Sequence, residues 1–267
     1  MQFPNDVPPL NLTDTTPEHV LKIIKSLAPK ASCDVYGMST KLIKFIGEQI
    51  AVPWYHIFNL SLSYSIFPSK LKKCRLIPIF KAGDSHNVDN YRPNSLLSLI
   101  SKKLEKIVAG NLTNHLYSND LLYQHQYGFL PSRSTKQNLI QVVDYISEAL
   151  NDNMYCIGIF LDLRKAFDVC SHEILFKKLK MGITGITHKW FTGYLEGRSQ
   201  CVNIGGNLSN FIELAISVTQ GSTFGPLLFL CYINYLCCFY IILSFICRRQ
   251  GHPCQKPKSQ GPIGLCK

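Results

Sequence analysis

The sequence feature that most limits the possible fold is an apolar run that stops at an acid. Residues 154–163 read MYCIGIFLDL, a pattern typical of a buried β-strand, and Asp162 stands at its carboxyl end. Sites in α/β-type folds collect their polar groups at such strand ends. We therefore predict that residues 154–163 form a central strand of a small antiparallel sheet, with Asp162 exposed at its end and facing a cleft.

Helical and strand patterns alternate along the rest of the chain. Apolar residues recur at helical spacing at residues 17–27, 39–63, 96–116, 134–150 and 172–182. Short strands are predicted at residues 75–80 and around 199–218, whereas residues 81–95, rich in Asp, Asn and Gly, are predicted to form a loop. This mixture of helices and short strands predicts an α+β fold.

Charge and cysteine content indicate the partner and the compartment. The net charge of +11 and the pI of about 9.1 favour an anionic partner, most commonly nucleic acid. The N-terminus has no basic start and no apolar stretch typical of a signal peptide. The eleven cysteines are therefore predicted to be reduced thiols in an intracellular protein of the cytoplasm or nucleus, not a secreted one.

Residues 162–168 resemble motif A of reverse transcriptases, particularly those of non-LTR retrotransposons. In that family a strand ends in Asp-Leu and Ala-Phe-Asp follows, here Asp162 and Leu163, then Ala166, Phe167 and Asp168. Four further blocks resemble the same family, and all five stand in its order between residues 71 and 236. They are IPIFKAGDSHNVDNYRPNSLLS with Lys81 and Arg92, QYGFLPSRST, YLEGRSQCV, and the motif B block VTQGSTFGPLLF with Gln220, Gly221, Gly225 and Pro226.

The resemblance implies RNA-directed DNA synthesis as the ancestral reaction. Such a polymerase joins a primer 3′-hydroxyl to the α-phosphate of a deoxynucleoside triphosphate, with two Mg²⁺ ions stabilising the attacking and leaving oxygens. Asp162 would be the catalytic acid and the first metal ligand, since hard cations take oxygen ligands. The implied partners are an RNA template, an RNA–DNA hybrid and deoxynucleoside triphosphates.

The same resemblance implies roles for the other matched residues. Lys81 and Arg92 would neutralise the triphosphate, and Gln220 and Gly221 would form a turn that approaches the nucleotide and template. Phe167 would crowd the sugar 2′ position, although it could instead be a core residue. Three positions are expected to be structural, namely Ala166, Gly225 and Pro226. Asp168 is expected to cap a helix that begins near His172.

The implied architecture is a right-hand polymerase without a thumb. Residues 1–70 would form an N-terminal helical segment or fingers extension. Residues 71–236 would form the fingers and part of the palm, and residues 237–267 an apolar and then basic disordered tail. Residues 248–267 in particular combine Gly and Pro with five cations, and we predict that they lack a stable fold.

One departure from the family pattern concerns catalysis. Two-metal catalysis needs a second acid cluster, Phe or Tyr followed by Ala-Asp-Asp, about twenty residues after motif B. No Asp follows Asp168 in this chain, and Tyr235 stands where the family has Asp. One carboxylate cannot hold two Mg²⁺ ions against their mutual repulsion, so we expect the chain to be catalytically incomplete and its Mg²⁺ site to be lost.

The end of the chain suggests how that cluster was lost. Codons for Phe-Ala-Asp-Asp, read one base out of frame, can encode Ile-Cys-Arg-Arg, the sequence at residues 246–249. We hypothesise a frameshift between residues 236 and 246, which would make this chain a pseudogene fragment. An encoding DNA that cannot be read as Phe-Ala-Asp-Asp in a neighbouring frame would refute the hypothesis.

Two alternatives from other classes remain open. The first is a membrane protein, because residues 227–247 are uncharged, long enough to span a bilayer, and followed by Arg248 and Arg249. The second is a nucleic-acid-binding remnant that binds phosphates without chemistry. Alkaline extraction of membranes would test the first, and salt-dependent binding without nucleotide incorporation would identify the second.

Overall fold

The structure is a computed structural model that describes residues 7–156, 166–180 and 182–234. The chain divides into two compact units, one made of Met1–Leu122 and Lys165–Tyr232, the other of Tyr123–Arg164 and Ile233–Lys267. The helices in the described part are α1 (Pro17–Lys25), α2 (Thr40–Phe45), α3 (Gly47–Ser63), α4 (Leu99–Ser118), α5 (Thr135–Asn151), α6 (His172–Lys178), α7 (Gly185–Leu195) and α8 (Gly225–Ile233).

The N-terminal helices begin where the sequence supplies caps. The Thr16 hydroxyl accepts a hydrogen bond from the His19 amide at the start of α1, and Ser39 does the same for Leu42 at the start of α2. The helix predicted over residues 39–63 is instead two helices, because the backbone leaves helical geometry at Ile46. Those helices form one side of the first unit's core, through residues such as Ile24 and Phe58.

The first unit contains a mixed sheet. Its strands are β1 (Lys73–Phe80), β2 (Tyr91–Leu97), β3 (Ser199–Ile204), β4 (Asn207–Leu208) and β5 (Ile212–Glu213). The order is β2-β1-β3-β4, with β5 also paired to β3. The pair β1–β3 is parallel and the other pairs are antiparallel. The combination of helices and a sheet agrees with the α+β prediction, whereas the parallel pair makes the described sheet mixed and not antiparallel as predicted.

The prediction of a loop over residues 81–95 was wrong for its last five residues, which belong to β2. The loop was predicted from the Asp, Asn and Gly content of the stretch, and Pro93 within it cannot donate to a sheet ladder. In the antiparallel register Pro93 stands opposite Pro78. Two prolines, which lack the N–H group, can stand opposite each other at a non-hydrogen-bonded position. At such a position the N–H groups of an antiparallel pair point away from the partner strand, so none is missing from the ladder. The strand is thus compatible with both prolines.

A buried acid connects the sheet region to α4. Asp34 is 5% exposed, and its carboxylate accepts hydrogen bonds from the amides of Tyr36, Met38 and Leu99. Leu99 is the first residue of α4, whose early amides have no partner within the helix. Asp34 therefore caps the start of α4, although it lies 65 positions earlier in the chain.

The core of the first unit is rich in aromatic side chains. Trp190 and Tyr194 of α7 stack with centroids 5.8 Å apart, and Phe67 and Phe224 contact Tyr194 edge-on at 5.0 and 5.3 Å. Arg198 is 2% exposed and lies over the Tyr194 ring at 4.6 Å. Phe224 is fully buried in this cluster and directly precedes α8. The aromatic core therefore packs against the start of that helix.

The second unit is described mainly by α5 and the segment before it. Ser134 and Gln137 form a reciprocal capping box at the start of α5. Arg133 donates hydrogen bonds to the carbonyls of Gln124 and Gln126 and lies over the Tyr127 ring. The arginine of the QYGFLPSRST block therefore ties its own loop together.

Three predictions fall wholly or largely outside the described residues. Of the strand predicted over residues 154–163, only residues 154–156 are described, and they belong to none of the strands β1–β5. Residues 157–163 lie outside the described part of the chain. The tail over residues 248–267 and most of the apolar stretch 227–247 also lie outside. Among the helices that are described, none is long and apolar enough to cross a membrane.

Candidate functional site

The β1–β2 hairpin carries the two predicted phosphate-binding cations. Arg92 stands opposite Ile79, and the Lys81 amide donates to the carbonyl of Asn90 at 2.8 Å. Positions directly opposite each other, and positions two apart on one strand, share a face of an antiparallel pair. Lys81 and Arg92 are therefore diagonal neighbours on one face, and both side chains are exposed.

The turn at Gln220 and Gly221 lies against β2. Gly221 has φ +90°, and a Cβ added there would come within 2.8 Å of the Ser95 carbonyl oxygen and 3.4 Å of Asn94 Oδ1. Only glycine accepts both the conformation and the close approach. Asn94 lies two residues from Arg92, on the same face of the strand. The structure thus brings Gly221 beside the strand face that carries Arg92.

The backbone around this turn is held by its own side chains. The Ser222 hydroxyl donates to the Thr219 carbonyl and accepts from the Gly225 amide, both at 2.8 Å. A Cβ on Gly225 would come within 2.5 Å of that hydroxyl oxygen, so the turn has no room for a larger residue there, and the structural role of Gly225 stays a prediction. Pro226 follows as the second residue of α8, where its missing N–H costs nothing.

The motif A residues that are described contact the motif B segment. The Val218 amide donates to the Phe167 carbonyl at 2.9 Å, and the Ser217 amide donates to the Cys170 carbonyl at 2.9 Å. The Phe167 ring stacks on Phe229 of α8 with centroids 4.6 Å apart. Phe167 is half-buried, so the packing is compatible both with a core role and with one edge facing a ligand.

One capping prediction was wrong. Ser171, not Asp168, is the N-cap of α6, and its hydroxyl accepts from the Ile174 amide. Asp168 lies three residues before that cap, in the turn with Ala166 and Phe167. The helix does begin at His172 as predicted, but a serine immediately before the first helical residue is in the better position to reach the free amides.

Burial shifts the pKa of two side chains that follow the Ala166–Asp168 turn in the sequence, Cys170 and Lys178. Burial raises the pKa of the Cys170 thiol to about 12, so the thiol is neutral at physiological pH. Burial lowers the pKa of Lys178, whose ammonium donates to the Tyr232 carbonyl and lies over that ring at 5.1 Å. This contact joins α6 to the end of α8.

The predicted metal ligand Asp162 lies outside the described residues, and its role stays a prediction. Within the described ranges, no three His, Cys, Asp or Glu side chains come together as a metal site. Asp168, the acid nearest to Asp162 in the sequence, belongs to a turn. The described residues therefore do not supply the acid cluster that a pair of Mg²⁺ ions needs.

Two residues near the turn were not predicted from the sequence. Asn94 lies beside Gly221, and no sequence signal indicated its face, because residues 81–95 were predicted to form a loop. Glu105 of α4 is fully buried and accepts a hydrogen bond from the Thr223 amide at 2.8 Å. The signal for Glu105 was an acid at the same helical spacing as the buried Val108 and Leu112.

Comparisons with known proteins agree with the motif order. Residues 79–241 match the reverse transcriptase (RNA-dependent DNA polymerase) family. The probable RNA-directed DNA polymerase from transposon BS of Drosophila melanogaster is 30% identical over 213 residues, 79% of this chain and 24% of that protein. The polymerase from mobile element jockey of the same species is 30% identical over 221 residues, 82% of this chain and 24% of that protein.

A third relative carries a similar match. The probable polymerase from transposon X-element of Drosophila melanogaster is 33% identical over 177 residues, 66% of this chain and 20% of that protein. The chain thus spans about a quarter of the length of these relatives. Since the family match covers more than half of its residues, the chain belongs to the reverse transcriptase (RNA-dependent DNA polymerase) family, in the branch carried by non-LTR retrotransposons.

Proposed function

We propose that this chain keeps the nucleotide-binding part of a reverse transcriptase but does not polymerise. The ancestral activity is RNA-templated DNA synthesis, with an RNA template, an RNA–DNA hybrid and deoxynucleoside triphosphates as partners. The observation that carries the proposal is the contact of Gly221 with β2, two residues from Arg92 on the same strand face. It joins two blocks that are about 130 residues apart in the sequence.

In this proposal each described group has a separate task. Lys81 and Arg92 neutralise the triphosphate, and the guanidinium of Arg92 can donate two parallel hydrogen bonds to one phosphate. Gly221 forms the turn that approaches the nucleotide and template, since only glycine accepts its positive φ this close to β2. Phe167, stacked on Phe229, presents a ring edge to the sugar 2′ position and so favours deoxynucleotides.

The architecture we propose is that of fingers and part of a palm. The β1–β2 hairpin and α4 would belong to the fingers, and the segments around Phe167 and Gly221 to the palm. Residues 1–70 would extend the fingers. They contain the capped helix α1 and are joined to α7 by the 2.7 Å hydrogen bond from the Thr187 hydroxyl to the Leu10 carbonyl.

The proposal of inactivity rests on the acids in the sequence. Asp162 is the last-but-one Asp of the chain, and Tyr235 stands where the family has an acid. When bound, paired Mg²⁺ ions would stabilise the attacking and leaving oxygens, but a single carboxylate does not hold such a pair. Every 1.4 kcal/mol lost from transition-state stabilisation lowers the rate about tenfold. The expected rate is therefore at background.

Primer extension tests this proposal. The purified chain with primed RNA template, Mg²⁺ and deoxynucleotides should give no extension above background. A chimera of residues 1–234 followed by the corresponding remainder of the jockey polymerase, which replaces Tyr235, should recover synthesis, and Asp162→Asn in that chimera should abolish it. Extension by the unmodified chain that survives Asp162→Asn would overturn both the inactivity and the role of Asp162.

A second candidate function is supported by the net charge of +11. A remnant that binds RNA or an RNA–DNA hybrid through phosphates would bind without sequence preference and lose affinity steeply with salt. Binding that falls at least about tenfold between 50 and 200 mM salt, with no competition by deoxynucleotides, would favour this function over a nucleotide site.

A further inference from the structure

A carboxylate is buried directly beneath the motif B turn. Glu105 lies in the middle of α4 and has no solvent exposure. One of its oxygens accepts from the Ser101 hydroxyl at 2.9 Å, and the other accepts from the Thr223 amide at 2.8 Å. Burying a carboxylate costs free energy that an apolar side chain would not incur. A residue that only fills the core would not need to be an acid.

The hydrogen bond to Thr223 reaches the turn at a sensitive point. Thr223 follows the Gly221 turn and precedes α8, whose first amide, that of Gly225, is already served by Ser222. The Ser222 bonds join the turn only to its sequence neighbours, Thr219 and the first residue of α8. Glu105 provides a side-chain hydrogen bond from the turn to α4.

The same stretch of chain holds the turn at two places. β2 ends at Leu97, and after one residue α4 begins at Leu99. Gly221 lies against Ser95 on the strand, and Thr223 is bound by Glu105 on the helix. One contact would let the turn pivot, whereas two contacts on a continuous strand-helix unit fix its orientation. That unit also carries Arg92.

We propose that Glu105 is a positioning residue that holds the Gln220–Gly221 turn in register with Arg92, so that a nucleotide can contact both at once. The proposal rests on the nucleotide-binding function proposed above, because it assigns Glu105 an effect on that binding. Glu105 touches no nucleotide itself. It acts through the Thr223 amide, and its loss leaves that amide without its described acceptor.

Hydrogen exchange of single backbone amides tests the tie between Glu105 and the turn. In the unmodified chain the Thr223 amide should exchange slowly although Thr223 is exposed. Glu105→Met keeps the side-chain length and removes both acceptors, and it should speed exchange at residues 221–223 at least about tenfold while the amide of Leu112 in α4 changes little. Glu105→Gln keeps an acceptor and should preserve protection.

Ser101→Ala is the matched control in the same helix. It removes the hydrogen bond from Ser101 to Glu105 and should leave the Thr223 amide protected. Fast exchange of Thr223 in the unmodified chain, or equal exchange in Glu105→Met and Glu105→Gln, would overturn the proposal. If Glu105→Met does not fold, the unmodified chain, Glu105→Gln and Ser101→Ala still decide, because all three should keep Thr223 protected.

Calorimetric titration with dATP and Mg²⁺ tests the consequence for binding. Glu105→Met should weaken binding about tenfold, and Glu105→Gln should restore it to within about threefold of the unmodified chain. Unchanged affinity in Glu105→Met would overturn the positioning role even if the turn is loosened. An unmodified chain that binds no dATP would contradict the proposed function and this effect on binding, while the exchange data would separately decide whether Glu105 holds the turn.

Discussion

The motif B turn and the β1–β2 hairpin both carry predicted nucleotide-binding residues, but the structure holds them in different ways. The turn is fixed by Ser222, by Glu105 and by the contact of Gly221 with Ser95. Lys81 and Arg92 on the hairpin are exposed, and within the described residues their side chains have no hydrogen-bond or ion-pair partner. The turn is therefore a backbone surface formed before any ligand binds, whereas the two cations of the hairpin are available to bind an anion.

This difference has a physical reason. A backbone that must approach a ligand closely has to be ordered before binding, since ordering it during binding would cost affinity. A long cation can be ordered by the ligand, because a triphosphate attracts it over several ångströms. Substitutions in the turn should therefore change stability, and substitutions in the hairpin cations should change binding. The predictions below test that division, from the largest expected effect to the smallest.

Gly221→Ala should destabilise the fold by about 3 kcal/mol, because it combines a positive φ with a Cβ that would lie 2.8 Å from the Ser95 carbonyl oxygen. Gly206→Ala is the matched control, since Gly206 has φ +92° and open space around its Cβ position. That variant should lose only about 1 kcal/mol. Urea unfolding measures both, and equal losses would show that contact with β2 does not hold the turn.

Lys103→Met should stabilise the fold, in contrast to changes at the exposed cations. Burial lowers the pKa of Lys103 to about 8 from its ordinary 10.5. The charged form is thus disfavoured in the native state, and the native protein becomes more stable as pH rises from about 8 to 10.5. Below pH 8 the methionine variant should gain about 1 kcal/mol, after allowance for solvent screening.

The same gain should fall below about 0.5 kcal/mol by pH 10.5, because the lysine is then neutral in the native state and only half-charged in the unfolded state. Lys189→Met, at an exposed position of α7, should change stability by less than about 0.5 kcal/mol at either pH. Urea unfolding of the three proteins at pH 7 and pH 10.5 gives the comparison. A gain that does not depend on pH would mean that Lys103 contributes through packing rather than charge.

Lys81→Met and Arg92→Met should change the free energy of unfolding by less than about 0.5 kcal/mol. Both side chains are exposed, so no described contact is lost. A loss of more than about 1 kcal/mol for either variant would place its cation among the structural residues, and the division between turn and hairpin would fail.

Local chemistry allowed much of the fold to be predicted from the sequence. The helices that begin near residues 17 and 134 were predicted by the helical spacing of their apolar residues, and β1 by a short apolar run. β2 was missed because residues 81–95 are rich in Asp, Asn and Gly, which favour a loop, and Pro93 of this strand stands opposite Pro78 in the sheet. α8 was not predicted as a helix because its residues GPLLFLCYI are apolar on every side and lack helical periodicity.

The candidate site was predictable only in part. The identities of Arg92 and Gly221 could be taken from motifs, but their proximity depends on strand register and on a contact between distant segments. Such long-range pairing leaves no local pattern in one sequence. The capping error at Asp168 had a local cause, since two hydroxyl or carboxyl residues stood near the start of α6 and Ser171 was the one in position.

Titration of the unmodified chain and of Arg92→Met with dATP and Mg²⁺ tests the central claim most directly, that the triphosphate site survives in a chain that does not polymerise. Lys136→Met, which removes an equal charge from exposed α5, is the control. We predict saturable binding by the unmodified chain and by Lys136→Met, and at least about tenfold weaker binding by Arg92→Met, as expected for the loss of a charge-assisted hydrogen-bond pair. Equal binding by all three proteins, or no binding by the unmodified chain, would contradict the claim.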